Sequence, residues 1–156
     1  MSDSDGAAGE RGVFLHPVRI GWGHCDPAGI VYFPRFFELF HDAMERWFSD
    51  ALGMPYAEVI LGRNVGFPSV HTEADFKAPS VFGDELVIEL RVGGLGHKSI
   101  VFDYRVRVAD DPDAAPRVVG RTVCAVMDLD EKSERFRRSL QLPADLREAI
   151  EGFMRT

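Results

Sequence analysis

From Pro34 onward the apolar residues fall at Phe36, Leu39, Phe40, Ala43, Met44, Trp47 and Phe48, the spacing of one helix face over about four turns. Pro34 suits the first turn of such a helix, and Phe37 adds bulk off the main stripe. A helix apolar over more than a narrow face is one that partners surround, so the rest of the chain has to wrap it. The rest changes period. Leu86, Ile88, Leu90 and Val92 alternate with Glu85, Glu89 and Arg91, and Ile100, Phe102, Tyr104, Val106 and Val108 alternate with Asp103, Arg105 and Arg107. Val65 to Phe76 and Val118 to Leu129 read as further strands, separated by turn signals at Pro79, Gly83-Asp84, Gly93-Gly94 and Asp110 to Pro116. Val13 to Ile20 is a first strand interrupted by Pro17; Tyr56 to Leu61 is a short helix; Arg135 to Leu140 is a last strand fragment before a helix from Ala144 to Met154. Strands that follow one another through short links pair antiparallel, so the expected class is α+β, an antiparallel sheet of five or six strands wrapped around one long central helix.

A chain of 156 residues hides roughly 70% of its unfolded surface, enough for a core without disulfide or metal staples. Residues 13–156 are expected to form one domain, and the small, polar residues 1–12 a flexible tail. Eighteen Lys and Arg against 25 Asp and Glu leave a net charge of −7, which offers no basic face to nucleic acid or to an anionic membrane. Two cysteines far apart and no apolar stretch of leader or membrane length point to the cytoplasm.

Several familiar chemistries find no footing. Gly93-Gly94-Leu95-Gly96 joins two strands and lacks the helix that a phosphate cradle needs. No serine stands in a nucleophile-elbow context. His24, Cys25 and Asp26 are consecutive, so they do not converge on a metal, and Cys25 reads as a small hydrophobe; neither metal nor cofactor is expected. The stronger constellation is Asp26-Pro27-Ala28-Gly29-Ile30-Val31-Tyr32-Phe33-Pro34, a carboxylate in a loop that runs into the start of the apolar helix. A helix start offers unpaired N–H groups and a positive dipole end, suited to a developing oxyanion. Pro27 stiffens the turn and Gly29 permits a conformation closed to other residues. Asp before Pro is also a common turn element, and the residues alone leave both roles open.

His24-Cys25-Asp26-Pro27-Ala28-Gly29-Ile30-Val31-Tyr32-Phe33-Pro34 resembles the active-site signature of the 4-hydroxybenzoyl-CoA thioesterase family of hotdog-fold proteins. The resemblance extends more loosely through Asp75-Phe76-Lys77-Ala78-Pro79, Phe82-Gly83-Asp84-Glu85-Leu86 and His97-Lys98-Ser99-Ile100, over about residues 13–130. It implies the hotdog fold, and Asp26 as the catalytic carboxylate, acting either as nucleophile through a mixed anhydride or as general base for water. It implies that the Phe33 backbone N–H polarises the thioester oxygen, although relatives often carry Tyr there, and that Tyr32 shapes the acyl pocket beside Gly29. Lys98, with His97, matches a basic cluster that holds the coenzyme A phosphates, with Arg137 and Arg138 as further cations from another subunit. His71, a lone histidine on a strand, is left outside the site. The resemblance also implies a homodimer paired through sheet edges, assembling into a homotetramer, with each site built from two chains. The expected activity is hydrolysis of an aromatic acyl-CoA; the alternatives are a short- or medium-chain aliphatic acyl-CoA thioesterase, a non-catalytic acyl-CoA-binding protein, and, last, a dehydratase.

Overall fold

The computed structural model describes residues 11–156. Its strands are β1 (Val13–Arg19), β2 (Val65–Gly66), β3 (Ser69–Phe76), β4 (Glu85–Leu95), β5 (Ser99–Val108), β6 (Val118–Ala125) and β7 (Met127–Asp128), and a one-turn 3-10 helix at Trp22–His24 follows β1. The α-helices are α1 (Pro34–Asp50) and α2 (Ala144–Arg155). Five strands form one antiparallel sheet in the order β1-β4-β5-β6-β3, while β2 and β7 make a separate two-stranded ribbon.

The seven residues of the helical stripe are the seven buried residues of α1. They meet the alternating inner faces of β4, β5 and β6, so Trp47 lies edge-on to Phe102 at 5.3 Å and Phe40 stacks on Tyr104 at 4.4 Å. Helix α2 closes the other end of the core through Leu146, Ile150 and Phe153, whose ring reaches Trp47 at 5.5 Å. Each such fully buried side chain contributes about 1.5–3 kcal/mol. β1 and β3 are the sheet edges. β1 tolerates Pro17 because an edge strand can leave one amide side unpaired. β3 is exposed along nearly its whole length, Val70 and Phe76 included.

Several expected boundaries shift. Val65 to Phe76 is two strands, because Pro68 separates the β2 pairing with β7 from the β3 pairing with β6. Val118 to Leu129 likewise divides at Val126. Gly93-Gly94 is a bulge inside β4, and the turn itself is at Gly96 to Lys98, closed by Gly96 N–H donating to Ser99 O at 2.9 Å. Arg135 to Leu140 is a set of turns with a single bridge from Ser139 to Met127, since Arg137 adopts a left-handed φ of 64° that no strand accommodates. Tyr56 to Leu61 begins as a helical turn and widens over Glu58–Gly62 into π geometry. The expected tail, residues 1–12, lies outside the described residues except for Arg11 and Gly12, whose N–H donates to Thr156 O at 2.8 Å. No helix among the described residues is long and apolar enough to cross a membrane.

Candidate active site

Residues 24–32 fold back on themselves. Cys25 bridges Val31, Asp26 N–H donates to Ile30 O at 3.0 Å, and Tyr32 N–H donates to His24 O at 2.9 Å. Gly29 makes the reversal at φ 80°, a conformation that a side chain would strain, and its N–H closes on Asp26 O at 2.9 Å. The outgoing arm is fixed by His24, whose Nδ1 accepts from Gly21 N–H at 2.9 Å. Cys25 is half-buried, its thiol turned toward Gly21 O at 3.7 Å, in keeping with a packing role.

Asp26 is half-buried as a residue, and Ala28 N–H donates to its carboxylate Oδ1 at 2.8 Å on the solvent side of the turn. That bond turns the carboxylate back over its own loop and leaves Oδ2 without a protein donor among the described residues. Eight residues on, at Pro34, the chain enters α1. Arg35 N–H donates to Tyr32 O and Phe36 N–H to Phe33 O, and Pro34 has no N–H, so Phe33 N–H is an amide at the helix start without an acceptor among the described residues. Asp26, Gly29, Tyr32 and Phe33 therefore belong to one turn.

Around this turn lies an aromatic shelf. Phe76, at the end of β3, is within 5.7 Å of Phe33, 6.0 Å of Phe36 and 6.3 Å of Phe37, ring centre to ring centre, and Tyr32 lies against Phe33 at 5.6 Å. A cavity of about 270 Å³ opens there, lined by Ile30, Val31, Phe33, Phe36, Phe76 and Ser80. A smaller one, about 130 Å³, continues along α1 toward β3 between Phe37, Phe40, His41, Met44, Thr72 and Tyr104. His41 escaped the sequence reading because it falls off the apolar stripe and only the fold places Thr72 opposite it.

His97 and Lys98 are not near this turn. Both are exposed on the β4–β5 hairpin, whose backbone is tied down by Leu142 N–H to His97 O and Val126 N–H to Lys98 O. The loop beside Asp26 joins the start of β4 at Glu85, and the hairpin follows its end at Leu95, a strand of roughly 30 Å away. Arg137 and Arg138 are exposed in the turns after β7, with Arg137 over the Phe136 ring at 4.8 Å. His71 is exposed on β3, 3.8 Å from Glu73.

Residues 19–150 match the thioesterase-like superfamily. The 1,4-dihydroxy-2-naphthoyl-CoA hydrolase of Synechococcus elongatus is 33% identical over 130 residues, 81% of this chain and 93% of that one. The 4-hydroxybenzoyl-CoA thioesterase of a Pseudomonas species is 30% identical over 128 residues, 81% of this chain and 89% of that one. Among solved structures, a 1,4-dihydroxy-2-naphthoyl-CoA thioesterase from Synechocystis superposes with a TM-score of 0.76 at 27% identity, covering 88% of this chain and 95% of the other.

Proposed function

The chain belongs to the thioesterase-like superfamily, and from that premise we propose that it hydrolyses an aromatic acyl-CoA to the free acid and coenzyme A, with Asp26 as the catalytic carboxylate. The observation that carries this reading is the pairing, in one turn, of a carboxylate oriented by Ala28 N–H with the acceptor-free Phe33 N–H at the start of α1. The amide and the helix dipole stabilise negative charge on the thioester oxygen as the carbonyl carbon becomes tetrahedral. Asp26 either attacks that carbon, giving a mixed anhydride that water then hydrolyses to the free acid, or takes a proton from the water that attacks it directly; in both routes the C–S bond breaks and the thiolate leaves, taking up a proton that the water supplies. The shelf of Tyr32, Phe33, Phe36, Phe37 and Phe76 favours a flat acyl group, as do relatives named for naphthoyl and hydroxybenzoyl thioesters.

Lys98 and His97 serve the coenzyme A phosphates of the neighbouring site rather than of their own. A two-fold axis that pairs β3 with its copy reverses the strand direction, so the hairpin end of one sheet meets the Asp26 end of the other. The exposed β3 edge, with Val70 and Phe76 bare, supports such a homodimer; further pairing of dimers would make the tetramer. Thiol release from matched benzoyl, hydroxybenzoyl, naphthoyl and aliphatic CoA thioesters, by the wild type and by Asp26→Asn, tests the reading. Fast release of one aromatic class, lost in the variant, is the expected result; equal rates in the two proteins would remove Asp26 from the mechanism.

A further inference from the structure

The turn that carries Asp26 does not support itself. Its returning arm leans on residues 80 and 81, where Val31 N–H donates to Ser80 O at 2.8 Å and Ile30 bridges Val81. Ser80 is buried, so this arm rests on a fixed point. What fixes that point is Arg117, immediately before β6. Its carbonyl accepts from Lys77 N–H at 2.8 Å and Ala78 N–H at 3.2 Å. Its guanidinium Nη1 donates to Asp84 Oδ2 at 2.5 Å and to Ser80 Oγ at 3.4 Å. The same Asp84 oxygen accepts from Val81 N–H at 2.9 Å, and the Asp84 carbonyl accepts from Ile20 N–H at 2.9 Å, just past the end of β1 where the chain runs toward the Asp26 turn. The Arg117 carbonyl ties residues 77 and 78 to the start of β6, the ion pair with Asp84 ties residues 80–84 to the same point, and the Ser80 and Asp84 carbonyls carry that segment to the arms of the turn. Only about a quarter of either side chain is exposed, 24% for Arg117 and 25% for Asp84, so solvent screens the pair less than it would a surface one. Burial pushes the Asp84 carboxyl up, but the Val81 N–H and the Arg117 guanidinium outweigh it and hold the group below its ordinary value.

We infer that Arg117 and Asp84 are positioning residues for the hydrolysis: by seating Ser80 and Val81 under the Ile30–Val31 arm, their ion pair sets where the Phe33 N–H stands relative to the Asp26 carboxylate. Neither residue lines the cavity beside Phe33. The inference rests on the roles given above to Asp26 and Phe33. It differs from a scaffolding role in what it does to the reaction, since a displaced oxyanion donor lowers the rate of the chemical step and leaves the distant coenzyme A contacts alone.

The test uses the full chain as Arg117→Met, Arg117→Lys and Asp84→Asn, with kcat, KM for the best aromatic acyl-CoA, thermal midpoint and amide exchange read on each. Arg117→Met is expected to lower kcat by roughly 10- to 100-fold, the cost of a misplacement of about 1 Å, with KM within about threefold. Exchange at Val31 and Tyr32, whose N–H groups are bonded to Ser80 O and His24 O, should quicken while the Gly93 to Ser99 hairpin keeps its rate, and Arg117→Lys, which keeps the charge, should regain most of kcat. An unchanged kcat, or a fall that only follows the folded fraction with exchange rising everywhere, overturns the inference. If Arg117→Met does not fold, the near-isosteric Asp84→Asn takes its place, and the same changes in kcat and exchange support or overturn the inference. A wild type that releases no thiol sinks the hydrolase reading, whereas slow, unaltered exchange at Val31 in the variants sinks the ion pair's role.

Discussion

Arg107 Nε donates to Glu89 Oε1 at 2.7 Å with the two side chains only 6% and 8% exposed, an ion pair sealed into the sheet face turned away from α1. Arg91 adds a second donor to the same carboxylate at 3.1 Å. Removing one partner leaves an uncompensated buried charge, so Glu89→Ala is expected to cost about 3–5 kcal/mol, while the double replacement Glu89→Leu with Arg107→Met should match or exceed the wild type. Urea denaturation of the three proteins measures both; a single variant as stable as the wild type would show that water reaches the pair.

Gly120 lies under the Phe40 ring, and a Cβ there would stand 2.6 Å from Cε2 and 2.9 Å from Cζ. Phe40 cannot yield, because it stacks on Tyr104 with only 9° between the ring planes. Gly120→Ala is therefore an overpacking substitution, expected to cost about 1–3 kcal/mol. Pairing it with Phe40→Leu should restore part of the loss, which a double-mutant cycle on denaturation midpoints reads directly.

How far such relationships can be read ahead depends on their range along the chain. The α1 stripe was legible to the residue, since a 3.6-residue period is a local signal, and β4 and β5 were legible from alternation. Alternation does not say where a strand stops pairing with one partner and starts with another, which is why the breaks at Pro68 and Val126 were missed. The Asp26 turn could be picked out because its carboxylate, glycine and helix start are contiguous. Arg117 and Asp84 stand 33 residues apart with no local pattern linking them, and only the β3–β6 pairing brings them together. Likewise the far placement of Lys98 follows from the length of β4, which the Gly93-Gly94 bulge lets run past the expected turn.

His16 faces α1 from β1, half-buried, with Asp42, Arg46 and Asp50 of the helix around it. Burial lowers its pKa below the ordinary histidine value, with Arg46 acting the same way and Asp42 and Asp50 against it. A histidine whose folded pKa is depressed is bound to more protons when unfolded, so its share of stability is complete above about pH 6.5 and is lost as pH falls toward the folded value. The thermal midpoint should drop as pH falls below about 6.5, and His16→Gln should flatten that limb. Parallel curves for the two proteins would assign the limb elsewhere.

A second, more acid limb belongs to the carboxylates. Asp84 and Glu89 are pushed up by burial yet held below their ordinary values by Val81 N–H and Arg117 for the first and by Arg107 and Arg91 for the second. Groups with depressed folded pKa contribute fully above the unfolded value, about 4, and lose that contribution as pH falls through the folded one. Stability should fall steeply below about pH 4, less so in the Glu89→Leu, Arg107→Met double variant, as followed by far-ultraviolet circular dichroism during acid titration.

If Lys98 of one protomer serves the Asp26 of its partner, the two residues can be separated between chains. Lys98→Ala alone should raise KM for coenzyme A thioesters more than it lowers kcat, with salt weakening binding by the wild type; Asp26→Asn alone should be inactive. Refolded together in equal amounts, the two variants give dimers of which about half are mixed, and each mixed dimer holds one site with Asp26 from one chain and Lys98 from the other, both intact. Activity at low substrate should then rise to about a quarter of the wild-type value, above the mean of the two parents. Were both residues used within one chain, every site of a mixed dimer would lack one of them, and the mixture would stay at the parental mean.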